Sequence, residues 1–291
     1  MSCADAATPR PLAFAGADGV TLRADARGDP SAPAVLFLHG GGQTRHAWGG
    51  TAAALAADGR HAICLDLRGH GESDWATGDA CYRLERFAAD LRAVQEQLDT
   101  LPALVGASLG GLASLLAAGE APGPIASAAV LVDIAPRIEA GGAQRITRFM
   151  LARPEGYASL EEVADAIATY TEQRSRPRDL ASLRKNLREG PDGRFRWHWD
   201  PRFMGPDGPA EIADRERLFA AARALTLPTL LVRGRESDLL SEDGVRELLA
   251  HLPDAGYVDV RGAGHMVAGD RNDAFTEAVR AFLARAAPLA G

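Results

Sequence analysis

Lysine is nearly missing from this chain: Lys185 is the only one, so the remaining basic positions are all arginine. With abundant alanine, that pattern is a compositional bias and singles out no site. Cysteine is scarce too. Cys3, Cys64 and Cys81 are too few and too scattered for a disulfide framework or a zinc site. Cys64 lies in an apolar run and reads as a small core residue. No run of about 18 apolar residues occurs, so no membrane span is expected. The first residues, MSCADAATPRPLAF, lack a basic start followed by an apolar stretch. No secretory leader is therefore expected, and the cytoplasm is the expected location. A net charge of −7 argues against a general nucleic-acid binder. There are no internal repeats and no low-complexity tracts. Neither G-x-G-x-x-G nor a Walker pattern is present, so no phosphate-binding loop is expected, and no cofactor or metal.

What is present is an alternation. The chain has 291 residues, 46% of them hydrophobic, enough for one sizeable core with an insertion. Short apolar runs at 34–40, 61–69, 101–108, 125–136, 227–234 and 255–262 read as strands buried on both faces. Between them lie helix-like segments: Trp48–Ala57, Leu84–Leu98, Leu109–Ala118, Glu242–Leu252 and Asn272–Ala286. Leu84, Phe87, Leu91, Val94 and Leu98 recur at steps of three or four and mark one helical face. Strand and helix in alternation imply an α/β fold with a parallel sheet covered on both sides. VTLRADARG (20–28) reads as part of an antiparallel edge. The alternation breaks after Pro136 and resumes near Leu225, which suggests an inserted segment rather than a tail. Its basic stretch RSRPRDLASLRKNLRE (174–189) reads as a solvated helix face.

One stretch, VGASLGG (105–111), sits where a strand should hand over to a helix. Gly106 and Gly110 flank a bend too sharp for side chains, and the bend lifts the Ser108 hydroxyl clear of the sheet. A serine hydroxyl is a weak nucleophile at neutral pH. It needs a base within hydrogen-bond reach and a third group to orient that base. His265, in RGAGHMVAGD after the last expected strand, is the candidate base. His61 opens a strand, His251 ends a helix, His198 lies in the insertion and His46 follows the glycine loop, so these are weaker candidates. Two carboxylates compete as the orienting acid. Asp238, in RGRESDLLS after the next-to-last strand, is preferred; Asp133, in VLVDIAP, is the alternative, and Glu236 ranks below both. The anionic intermediate needs preorganised donors. The backbone N–H of Leu109 is one. The other is expected from His39-Gly40-Gly41-Gly42, with Gly41 first and Gly42 second, and His39 as a structural hydrogen-bonder.

Taken in order, HGGG at 39–42, DLRGHGES at 66–73, GASLG at 106–110, Asp238 and GAGH ending at His265 give the chain its resemblance. It resembles the capped α/β-hydrolases from about residue 20 to residue 285. The order Ser108, Asp238, His265 matches that family's order. The resemblance implies eight mostly parallel strands with helices on both faces and a helical cap inserted after strand six. Residues 1–136 and 214–291 would form the core and 137–213 the cap. It assigns structural work to Asp66, Arg68 and Ser73, and packing or an acyl-pocket role to WHWDPRF (197–203), with Trp197 and Trp199 read as cap core. It implies a serine-dependent hydrolase of small-molecule carboxylic esters or lactones, working through an acyl-enzyme. A carbon–carbon bond hydrolase or a cofactor-free perhydrolase using the same triad is the enzymatic alternative. A ligand receptor with an idle triad is the non-enzymatic one.

Overall fold

The computed structural model describes residues 8–170, 176–177, 179–205, 214–270 and 272–289. Cys3, part of the basic stretch 174–189, and the domain boundary expected at residue 213 lie outside the described residues. Eight strands make the main sheet: β1 (Arg10–Ala15), β2 (Thr21–Arg27), β3 (Ala34–Leu38), β4 (His61–Leu65), β5 (Ala103–Ala107), β6 (Ala128–Val132), and, after a separate hairpin of β7 (Leu187–Glu189) and β8 (Phe195–Trp197), β9 (Thr229–Gly234) and β10 (Gly256–Val260). Their spatial order is β1-β2-β4-β3-β5-β6-β9-β10. β2 runs antiparallel to both neighbours, and the other pairings in this sheet are parallel. The order reverses direction around β3, which creates a crevice at the strand C-termini, the usual ligand position in open α/β sheets.

The helices are α1 (Gly49–Ala57), α2 (Leu84–Gln95), α3 (Leu109–Gly119), α4 (Ala140–Leu151), α5 (Leu160–Tyr170), α6 (Leu180–Leu183), α7 (Arg215–Ala224), α8 (Glu242–His251), α9 (Val267–Asp270) and α10 (Asn272–Ala286). The apolar strand runs split between two layers by the period-two alternation of side chains. Leu36, Leu38, Leu104 and Leu131 join the core with Phe87, Leu91 and Val94 of α2, Leu115 and Leu116 of α3, and Leu218 of α7. Val35, Phe37, Val105 and Val130 point the other way, into a core with Leu55 of α1 and Phe275, Val279 and Phe282 of α10. Both faces of the sheet are therefore covered, and neither can carry polar side chains at these positions.

After β6 the chain leaves the sheet. Helices α4 to α6 and the β7–β8 hairpin follow, and Tyr157, Val163 and Leu187 form a small core of their own. The hairpin was not expected from the sequence, because its strands are three residues long and rich in arginine. β1 was also missed: RPLAFA is an edge strand with most positions exposed. Among the described residues, no helix is long and apolar enough to cross a membrane.

The turn after β4 is braced by buried charge, with Leu67 in the apolar core beside it. Arg68 is fully buried and forms a two-pronged pair with Asp90 of α2, Nε to Oδ2 and a terminal nitrogen to Oδ1, each at 2.6 Å. It also donates to the carbonyls of Cys81 and Ala17. Asp66 accepts from the Arg45 backbone N–H at 2.7 Å and the Glu72 N–H at 3.0 Å, and the Ser73 hydroxyl donates to the Asp66 carbonyl at 2.7 Å. The structural work expected of Asp66, Arg68 and Ser73 is visible in these bonds. Removing one partner of a buried ion pair strands the other charge at a cost of roughly 3–5 kcal/mol. Urea unfolding of Arg68→Ala should show a loss of that size, and the double variant Arg68→Met/Asp90→Leu should lose much less. Equal losses in the two would contradict the stranded-charge account.

Candidate active site

Strands β5 and β6 lie side by side in parallel register, Ala107 opposite Val132. Ser108 and Asp133 are the next residue on each. Both leave their strand with a positive φ, 48° for Ser108 and 50° for Asp133, a conformation that non-glycine residues adopt at a cost of about 1–3 kcal/mol. The Ser108 turn is possible because helix α3 starts directly against the sheet. A Cβ on Gly106 would stand 2.5 Å from the Gly110 carbonyl oxygen, and one on Gly110 would stand 2.5 Å from the carbonyl oxygen of Leu38 in β3. No larger residue fits either position without moving backbone. The bend thus delivers Ser108 to the C-terminal edge of the sheet, partly exposed.

His265 arrives on the loop after β10. That loop crosses the end of β9, where a Cβ on Gly234 would meet the Gly264 carbonyl oxygen at 2.0 Å. The crossing sets His265 Nδ1 at 2.7 Å from Asp133 Oδ2. The Asp133 carboxylate is buried, and its other oxygen, Oδ1, accepts the Gly234 backbone N–H at 3.0 Å. The geometry therefore puts Asp133, and not Asp238, on the imidazole, which corrects the preference drawn from the sequence. From Gly234 the chain makes a tight turn, the Ser237 N–H donating to the Gly234 carbonyl. Beyond that turn the Asp238 carboxylate is exposed and paired with Arg145 of α4, Nε to Oδ2 at 2.8 Å. Glu236 is exposed as well. A signal for Asp133 was present in the sequence: a single charge at the end of an all-apolar strand must find a partner, whereas Asp238 sits in a polar stretch.

The glycine loop after β3 shows which backbone donors are committed. The Gly40 N–H donates to Gln43 Oε1 at 3.0 Å, and the Gly42 N–H donates to His70 Nε2 at 3.0 Å. The N–H groups of Gly41 and Leu109 have no hydrogen-bond partner among the described residues. Gly42, the second choice from sequence, is thus occupied by His70. Gln43 Nε2 also lies 2.8 Å from the sulfur of Met266, next to His265, so Gln43 ties the two loops. Neither His70 nor Gln43 was singled out from the sequence.

His39 and His70 share one arrangement. The Leu67 N–H donates to His39 Nε2, so the ring proton sits on Nδ1, which donates to the Gly40 carbonyl at 2.8 Å. His70 likewise accepts from Gly42 and donates from Nδ1 to the Arg68 carbonyl. Burial lowers the pKa of His39 to about 4 and that of His70 to about 3. Both stay neutral and hold backbone in place, the structural role expected of His39.

Residues of the insertion lie on this loop. A Cβ on Gly41 would meet Phe203 at 3.0 Å, and one on Gly42 would meet Met150 at 3.0 Å and Trp199 at 3.3 Å. Trp199 stacks on Trp197 at 5.2 Å, and Phe203 packs edge-on against His70 at 4.7 Å. Asp200 anchors the segment, accepting from the buried Tyr82 hydroxyl at 2.6 Å. A cavity of about 240 Å³ opens elsewhere, lined by Thr44, Asp66, Glu72, Lys185 and His198 among others, and none of Ser108, Asp133 and His265 borders it. Its Arg45 is held by Asp25, Asp66 and Glu72. Among the described residues, no group of three or more His, Cys, Asp or Glu side chains could hold a metal ion.

A family model described as alpha/beta hydrolase fold matches residues 33–271. The chain belongs to the α/β-hydrolase fold family. It is 32% identical over 267 residues to esterase Rv0045c of Mycobacterium tuberculosis, covering 87% of this chain and 83% of that one. It is 30% identical over 253 residues to a 3-hydroxybutyrate-oligomer hydrolase of Cupriavidus necator, covering 82% and 84%. A crystal structure of E-2-(acetamidomethylene)succinate hydrolase superposes with a TM-score of 0.81 at 26% identity, covering 95% of this chain and 99% of that one.

In this α/β-hydrolase the neutral histidine pair has a measurable consequence. An unfolded histidine takes up a proton near pH 6.5, while the folded His39 and His70 resist until about 4 and 3. Between those limits the unfolded chain binds more protons, so these two groups make stability fall as pH drops from about 6.5. Urea midpoints measured from pH 7 to pH 4.5 should decline, with a shallower decline in His70→Gln. The same slope in both proteins would contradict the assignment.

Proposed function

We propose that the chain is a serine-dependent hydrolase of small-molecule carboxylic esters, with Ser108 as nucleophile, His265 as general base and Asp133 as the orienting acid. The observation that carries this reading is the 2.7 Å contact of His265 Nδ1 with Asp133 Oδ2, one residue beyond the register pair that precedes the Ser108 bend. The names of its relatives, an esterase and a 3-hydroxybutyrate-oligomer hydrolase, support the same class of bond.

In the proposed reaction the Ser108 oxygen attacks the ester carbonyl carbon while His265 Nε2 takes the hydroxyl proton. Asp133 keeps the other ring proton on Nδ1 and stabilises the imidazolium that forms. The tetrahedral oxyanion is met by the N–H groups of Gly41 and Leu109, which carry no competing bond in the free protein. His265 then gives its proton to the leaving alcohol, which leaves an acyl group on Ser108. Water, deprotonated by the same imidazole, releases the acid and restores the serine. The stretch 137–213 serves as a lid in this reading, supported by Met150, Trp199 and Phe203 lying against the glycine loop.

Hydrolysis of p-nitrophenyl acetate or butyrate tests the assignment. Ser108→Ala should lose at least about 10³-fold in kcat. Asp133→Asn should lose about 10²- to 10⁴-fold, while Asp238→Asn stays within about threefold, as for an exposed residue outside the machinery. Full turnover in Ser108→Ala, or a larger loss at Asp238 than at Asp133, would overturn it.

A further inference from the structure

The loop after β9, where the order of residues in the chain suggested the acid, carries a hydroxyl aimed at the acid instead. Ser237 Oγ lies 2.5 Å from Asp133 Oδ2, the same oxygen that faces His265 Nδ1. The direction of that hydroxyl is fixed by its own neighbours. Its oxygen accepts the backbone N–H groups of Leu239 and Leu240, each at 3.2 Å. With those donors on the oxygen, its one proton is left for Asp133. The carboxylate is then held at three points: the Gly234 N–H on Oδ1, and Ser237 and His265 on Oδ2.

We infer that Ser237 is a positioning residue for the catalytic acid, fixing the rotation of the Asp133 carboxylate so that Oδ2 stays in the plane of the His265 ring. The inference rests on the reading of Asp133 as the triad acid. The physical reasoning is direct. A carboxylate held only by the Gly234 N–H can turn about its Cβ–Cγ bond, because that single bond restrains one oxygen and leaves the other free. Each turn away costs the imidazole its partner, and with it the tautomer that leaves Nε2 free to accept the serine proton. A second donor on Oδ2 removes that freedom before substrate arrives. Ser237 acts through Asp133, so its effect belongs to the chemical step rather than to substrate binding.

The experiment compares Ser237→Ala and Ser237→Thr with the parent enzyme on p-nitrophenyl butyrate, measuring kcat and KM separately, with the melting temperature and circular dichroism of each protein recorded to confirm the folded fraction. Asp133→Asn is measured beside them. A hydrogen bond to a charged group is worth about ten- to a hundredfold. Ser237→Ala should therefore lose about that factor in kcat with KM within about twofold, and Ser237→Thr, which keeps the hydroxyl, should recover most of it. Unchanged kcat in folded Ser237→Ala, with Asp133→Asn inactive, overturns the role of Ser237 alone. A loss in Ser237→Ala that appears in KM, or that the threonine does not recover, also overturns it, since loop distortion would then explain the loss. Undiminished activity in Asp133→Asn overturns the reading of the acid and this inference with it.

Discussion

The contact between the first turn of α3 and the ends of β3 and β5 is the constraint on which the site depends. Two glycines, Gly106 and Gly110, let backbone approach backbone at distances no side chain allows. That approach forces Ser108 to φ 48° and turns its side chain out at the sheet edge. The strain of that residue is small against the packing that surrounds it. α3 buries Leu115, Leu116 and Ala117, and the strands beneath are buried on both faces. The rigid sheet then does the rest: neighbouring strands put Asp133 beside Ser108, and the loop crossing over Gly234 brings His265 to Asp133.

Around this centre the polar groups are assigned with little redundancy. Gly40 and Gly42 give their N–H groups to Gln43 and His70, which keeps the glycine loop in one shape and leaves the Gly41 N–H uncommitted. His70 also touches Phe203 of the insertion, so the same neutral ring bridges the loop to that segment. Charge is kept one layer back. Arg68 with Asp90, and Arg45 with its carboxylates, brace the turn after β4 that presents His70. A change at those pairs would therefore reach the glycine loop through His70, which holds the Gly42 N–H, and through His39, which accepts the Leu67 N–H and donates to the Gly40 carbonyl.

Much of this was legible before any coordinates. The strands announced themselves because burial on both faces demands short, continuous apolar runs, and α10 fell on the expected residues 272–286. The placement of Ser108 on a bend between glycines and of His265 on a loop after a strand was readable because both are tied to local backbone shape. The carboxylate that contacts His265 was not, because Asp133 and Asp238 both follow strand ends and both lie between Ser108 and His265 in the chain. Only the turn at Gly234–Ser237, a three-dimensional fact, sends Asp238 outward to Arg145. Ser237, His70 and Gln43 escaped notice because each joins its own turn to a group far away in sequence: Asp133, Gly42 and Met266 respectively. The β7–β8 hairpin escaped because three-residue strands have no period to read.

The central claim is that one serine among the chain's serines is made nucleophilic by its surroundings. Labelling with a fluorophosphonate, followed by peptide mass mapping, tests it without reference to any substrate. The account predicts a single phosphonylated residue, Ser108, modified stoichiometrically in the native protein and not after denaturation. Modification at another residue, or none at all in native protein, would contradict it.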